Sequence, residues 1–163
     1  MPLTRSRPRP CRRSKHALTL TLLGVLAAPA AHALDAAQWR AVAPALQAAL
    51  ECRAAPDTTT AAWKALPREA SGGIAPLAPP APFTVFGLPV REVLVFIDPD
   101  GELGASYTTG FTASREAVRK AARLDDDGGR ETSMGALALS ADDEVRLSCT
   151  VMGTYDESDY QEH

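Results

Sequence analysis

Acidic side chains at alternate positions come closest to a chemical signature in this chain. Asp98, Asp100 and Glu102 surround a Pro-Asp-Gly turn, a spacing that invites comparison with a calcium loop. An EF-hand loop needs glycine at its sixth position and glutamate at its twelfth. Counted from Asp98, those positions hold Leu103 and Thr109. A solvated hairpin turn is therefore expected, and turn chemistry also accounts for the acids at 125–127 and 142–144. Two carboxylates flanking a sugar would make a glycosidase pair, but no aromatic platform accompanies any of these clusters. Tyr107, with Arg91 and Glu92 near the same turn region, is a candidate recognition patch, weighed against a sheet tyrosine with a wet hydroxyl.

Nucleophilic chemistry needs a histidine within hydrogen-bond reach of a serine or cysteine. The chain has His16, His32 and His163. The first two lie in a segment with the layout of an export signal. Residues 1–15 carry Arg5, Arg7, Arg9, Arg12, Arg13 and Lys15 without an acid, an apolar run covers 17–28, and Ala31-His32-Ala33 follows. A basic region, a short apolar core and a small-x-small site define a cleaved secretory signal, here residues 1–33. The apolar run is shorter than the ~20 residues a membrane span needs, so no stable membrane anchor is expected after cleavage. Arg12-Arg13 is followed by Ser14-Lys15-His16 rather than a large apolar residue, which favours ordinary secretion over a twin-arginine route. After cleavage only His163, the last residue, remains. No histidine-based catalytic site, zinc site, metal or cofactor is expected.

Export also decides the cysteines and the charge. Cys11 leaves with the signal, and Cys52 and Cys149 remain as an even pair in an oxidising compartment, where a structural disulfide is expected. No Cys-x-x-Cys arrangement suggests redox activity. Six of the 17 basic residues and none of the 20 acidic ones fall in residues 1–33, so residues 34–163 carry a net charge of −9. Nucleic acid, which selects clustered Lys and Arg, is excluded as a partner. An acidic surface favours solubility and attracts cationic partners.

The elements that must position these residues follow from periodicity. Residues 34–67 read as an N-terminal helical segment. Asp35 is an N-cap with Gln38 three residues on, and Trp39, Val42, Leu46 and Leu50 recur on one face. Pro44 predicts a kink or restart. Asp57 is a candidate cap for a second short helix over 60–66. Residues 68–82 form a Pro/Gly-rich connector. The core, 83–152 and continuous with the helical segment, starts with a strand at 83–86. A strand at 90–97 follows, apolar on both faces, and the turn at 98–101 leads to an alternating strand at 103–111. A helix over 113–124, capped by Thr112 or Ser114, precedes strands at 134–139 and 145–152. Residues 153–163 read as an acidic, loose tail.

The expected fold is α+β: an antiparallel sheet of about five strands, a three-stranded meander plus a second hairpin, with helices packed on one face. The expected function is that of a small periplasmic or secreted non-catalytic binding protein. It would be an inhibitor or immunity-type partner of another envelope protein with a basic surface. The alternatives are a small carboxylate-dependent hydrolase working with Tyr107, or a structural accessory of an envelope complex.

Overall fold

Helix α1 (Ala36–Leu50) begins at a complete capping box: Asp35 accepts from the Ala37 and Gln38 amides, and the Gln38 side chain accepts from the Asp35 amide. Pro44 neither breaks nor ends it. Proline inside a helix costs about 3 kcal/mol, but Trp39, Val42, Leu46 and Leu50 on both sides of it are buried. That apolar stripe holds the two halves as one helix. A computed structural model describes residues 32–80 and 82–154. The expected signal lies outside the described residues apart from His32 and Ala33, and the expected tail does so from residue 155.

Eleven elements are ordered β1 (His32–Ala33), α1, α2 (Ala61–Lys64), β2 (Leu77–Ala78), β3 (Thr84–Val85), β4 (Leu88–Ile97), β5 (Ala105–Phe111), α3 (Arg115–Ala122), β6 (Gly129–Glu131), β7 (Ala136–Leu139) and β8 (Arg146–Val151) among the described residues. The sheet runs β1-β2-β4-β5-β8-β7-β6, with β3 also paired to β4. Every pairing is antiparallel except β1 with β2. The architecture is α+β, with an open, essentially antiparallel sheet and helices on one face. The meander β3-β4-β5 and the hairpin β7-β8 form the expected framework. The strand count is larger than five because β1, β2 and β6, each of two or three residues, extend both edges.

Local chemistry explains most boundaries. The second helix is capped by Thr60, whose hydroxyl accepts from the Trp63 amide, while Asp57 is engaged with Thr59 one step earlier. Ser114, the second of the two expected candidates, caps α3. The β3-β4 turn places Phe86 and Gly87 at φ 50 and 76, the positive values of a two-residue type I′ hairpin turn. The 68–82 connector is partly sheet: Leu77 is fully buried and pairs with Val93. A two-residue strand between prolines has no periodicity to reveal it.

One core joins the helices to the sheet. Trp39, Leu46 and Leu50 from α1, Trp63 from α2 and Val118 from α3 pack with Val93, Tyr107, Phe111, Leu137, Leu147 and Cys149. Trp39 and Phe83 meet edge to face with centroids 4.9 Å apart. The Cys52–Cys149 disulfide crosses this core, tying the end of α1 to β8 over a separation of 97 residues.

Candidate functional site

Strand alternation sorts the sheet into a covered and an open face. Val93 and Val95 of β4, Tyr107, Thr109 and Phe111 of β5, and Leu147 and Cys149 of β8 point into the core. On the other face Leu94 pairs in register with Thr108, which pairs with Ser148, which pairs with Ala138. The next row is Phe96, Ser106, Thr150 and Ala136. Among the described residues, no helix covers these rows. Thr108 and Ser148 share a 2.7 Å hydroxyl hydrogen bond. Phe96 is 52% exposed and Met152, just past β8, 85% exposed. The expectation that 90–97 is covered on both sides is corrected here: beyond the bulge at 90–92 the side chains of Leu94 and Phe96 face out, because the described helices pack on the side of Val93 and Val95.

The expected recognition patch is divided by the sheet. Tyr107 is 2% exposed on the core face, opposite Cys149 and Val95, and burial pushes its phenol upward in pKa. Arg91 and Glu92 instead sit at a bulge in β4 and join two residues that sequence reasoning missed. Arg91 lies 3.6 Å from Glu144, Arg146 lies 3.7 Å from Glu92, and Arg146 also pairs with Glu144. The signal available in the sequence was the position of Arg146 on the polar side of β8, which aligns it with Gly110 and Glu92. Two guanidinium groups and two carboxylates balance, so this cluster is an ion network at one end of the open face.

The remaining carboxylates do not converge. Asp98 accepts from the Leu103 amide and organises the β4-β5 turn, Asp125 accepts from the Gly129 amide before β6, and residues 142–144 occupy the β7-β8 turn. Among the described residues, no group of three or more His, Cys, Asp or Glu side chains is placed to hold a metal ion.

A second feature lies at the sheet edge. A groove of about 760 Å³ runs between β4 and the opposite wall formed by α2 and the 68–74 loop. Its floor is residues 95–99, and Trp63, Lys64, Arg68 and Ile74 line the facing side.

No protein-family model, curated protein or solved structure matches this chain.

Proposed function

We propose that this chain is an exported, non-catalytic binding protein that engages another protein of the bacterial envelope, as an inhibitor or immunity-type partner does. The observation that carries this reading is the open sheet face: Leu94 and a set of small and hydroxyl side chains form a surface flanked by exposed Phe96 and Met152. Exposed aromatic and methionine side chains are enriched at protein contacts. A disulfide in the core accords with an oxidising compartment, and no helix among the described residues is long and apolar enough to cross a membrane. The charge of −9 on residues 34–163 favours a partner with a basic surface.

Cleavage after Ala33 would also remove β1, leaving β2 as the sheet edge and the Asp35 capping box intact.

The test is site-specific photo-crosslinking in the native envelope. A crosslinker replacing Ala138 on the open face should yield a discrete adduct with one envelope protein, while one replacing Arg40 on the outer side of α1 should not. Equal labelling from both positions, or none from Ala138, overturns the reading.

A further inference from the structure

The outer edge of β4 ends unpaired. On one side β4 is zipped to β5 as far as Ile97. On the other, β3 reaches only Leu88 and Pro89, and β2 only Val93. The direction of the free groups follows from register. The Asp98 amide donates to the Gly104 carbonyl at 2.9 Å, so beyond the bulge the even-numbered residues of β4 point their backbone groups at β5. Val95 and Ile97 therefore direct their N–H and C=O groups the other way. No hydrogen bond among the described residues uses these four groups. The 68–74 loop across the groove does not take them, because it is closed on itself: Gly73 accepts from the Glu69 amide, Gly72 donates to the Glu69 carbonyl, and Arg68 pairs with Ile74 in a bridge. An edge strand with unpaired backbone groups is a template for another strand.

The free groups are arranged symmetrically. The open stretch is bounded by Val93, which β2 holds, and by the turn at Asp98–Gly101, where the chain bends away toward β5. Phe96 stands at its centre with Val95 and Ile97 on either side. A two-fold axis normal to the sheet at Phe96 sets Val95 opposite the second copy's Ile97, and Ile97 opposite the second copy's Val95. In an antiparallel ladder each such pair exchanges two backbone bonds, so all the free groups of this stretch are matched. Phe96 then faces Phe96 of the second copy in a non-hydrogen-bonded pair, the position at which side chains approach most closely. Its ring is 52% exposed on the open face, and aromatic cross-strand pairs stabilise sheets.

Charge agrees with a self-contact. The groove beside this edge sets Lys64 and Arg68 against Glu69 and Asp98, so it is locally neutral although residues 34–163 carry −9. Such a lining selects neither an acidic nor a basic segment. A surface balanced within itself suits its own two-fold image, which presents the same charges in reversed order. We propose that two copies of this chain associate through Val95–Ile97 of β4, joining their sheets into one across a two-fold axis at Phe96. Because the axis is normal to the sheet, both open faces lie on the same side and stay free. The association goes beyond the partner binding proposed above and doubles the surface offered to that partner.

The test uses the disulfide-bonded protein purified after export of the full chain. Sedimentation equilibrium should show reversible dimers at concentrations up to about 1 mM, the weak range expected of a small interface. Amide exchange followed by NMR should show Val95 and Ile97 becoming protected as concentration rises. Phe96→Glu, at an exposed position, sets two carboxylates opposite each other and should weaken the dimer by about tenfold. Phe96→Cys should form an intermolecular disulfide on mild oxidation, since directly opposed residues of a non-hydrogen-bonded pair lie within disulfide reach. Leu103→Cys, more exposed but off the axis, should not. A protein that stays monomeric at about 1 mM, or a dimer that Phe96→Glu leaves unchanged, overturns the proposal. Equal disulfide yields from the two cysteine variants do so as well, as do Val95 and Ile97 amides that exchange equally fast in monomer and dimer. Protection of those amides in the dilute monomer also overturns it, because residues beyond 154 would then fill the edge. The Ala138 crosslink is read separately, so the binding function and the dimer stand or fall independently.

Discussion

Glu51 joins three parts of the molecule with one carboxylate. It follows α1 as the C-cap, accepts from Gln47 at 3.1 Å and Arg53 at 2.7 Å, and accepts from the Phe86 amide at 3.1 Å across 35 residues. That last bond holds Phe86 in its left-handed conformation, and the Arg130 guanidinium lies 5.6 Å from the same ring's centroid. Burial alone raises the Glu51 pKa, but the hydrogen bonds from Arg53, Phe86 and Gln47, with the Arg53 charge, bring it below its ordinary value. A lowered folded-state pKa gives stability that is present above the unfolded-state value and lost as pH falls through the folded one. Glu51→Gln should therefore destabilise the protein by about 1–3 kcal/mol at neutral pH. The gap to the parent should close as both are titrated below the carboxylate range. Urea midpoints measured across that range check it, and a gap that stays constant with pH would show that the charge plays no part. Nothing in the sequence near Glu51 points to Phe86, since their contact exists only once α1 lies over the β3-β4 turn.

Helix ends show how far local sequence carries. Asp35 and Ser114 announce their helices because a short oxygen-bearing side chain satisfies orphan amides wherever a helix begins. The C-termini are less legible. Both α1 and α3 close with a pair of bonds running back over the last turn: Arg53 to Ala48 and Cys52 to Ala49 in one, Leu124 to Arg119 and Arg123 to Lys120 in the other. This motif normally places glycine in its left-handed position, yet Cys52 and Arg123 stand there at φ 56 and 54. At Cys52 the side chain is required for the disulfide. At exposed Arg123, which has no ion-pair partner among the described residues, nothing in the structure offsets the strain. Arg123→Gly should stabilise the fold by about 1 kcal/mol, read as a higher denaturation midpoint with unchanged cooperativity. Close approach elsewhere does require glycine: a Cβ on Gly104 would lie 2.1 Å from the Val151 carbonyl oxygen, where β5 and β8 converge. Of the strands, β4, β5, β7 and β8 are long enough to betray themselves by alternation or apolar runs, whereas β2 and β6 are not.

At the scale of the molecule, the disulfide fastens the helical layer to the centre of the sheet. Cys149 lies between Tyr107 and Leu137 in the sheet register, so the bond anchors α1 over the most buried strands. In the chain-entropy model, a closed loop of about 100 residues contributes up to ~4.7 kcal/mol. Replacing Cys52 and Cys149 together with serine should lower the unfolding free energy by about 2–4 kcal/mol. The core around Trp39, Leu46 and Trp63 should keep a cooperative transition. Guanidinium denaturation of oxidised, reduced and doubly substituted protein checks this, and equal midpoints for all three would refute it.

The sequence by itself determined the class and its materials. Capping residues, an α1 apolar stripe, a turn at Asp98-Pro-Asp-Gly101 and two cysteines are local or compositional facts, and they led to an antiparallel α+β fold with a disulfide. The tertiary structure decided which side of each strand is covered. Val95 and Phe96 are adjacent and both apolar, yet one is buried and the other half exposed, because burial depends on where distant helices land. It decided that Tyr107 belongs to the core and that Arg91 and Glu92 meet Glu144 and Arg146. It also decided where pairing stops on β4, and so where an edge is left open. Such contacts join residues tens of positions apart, and no spacing along the chain encodes them until the layers have packed.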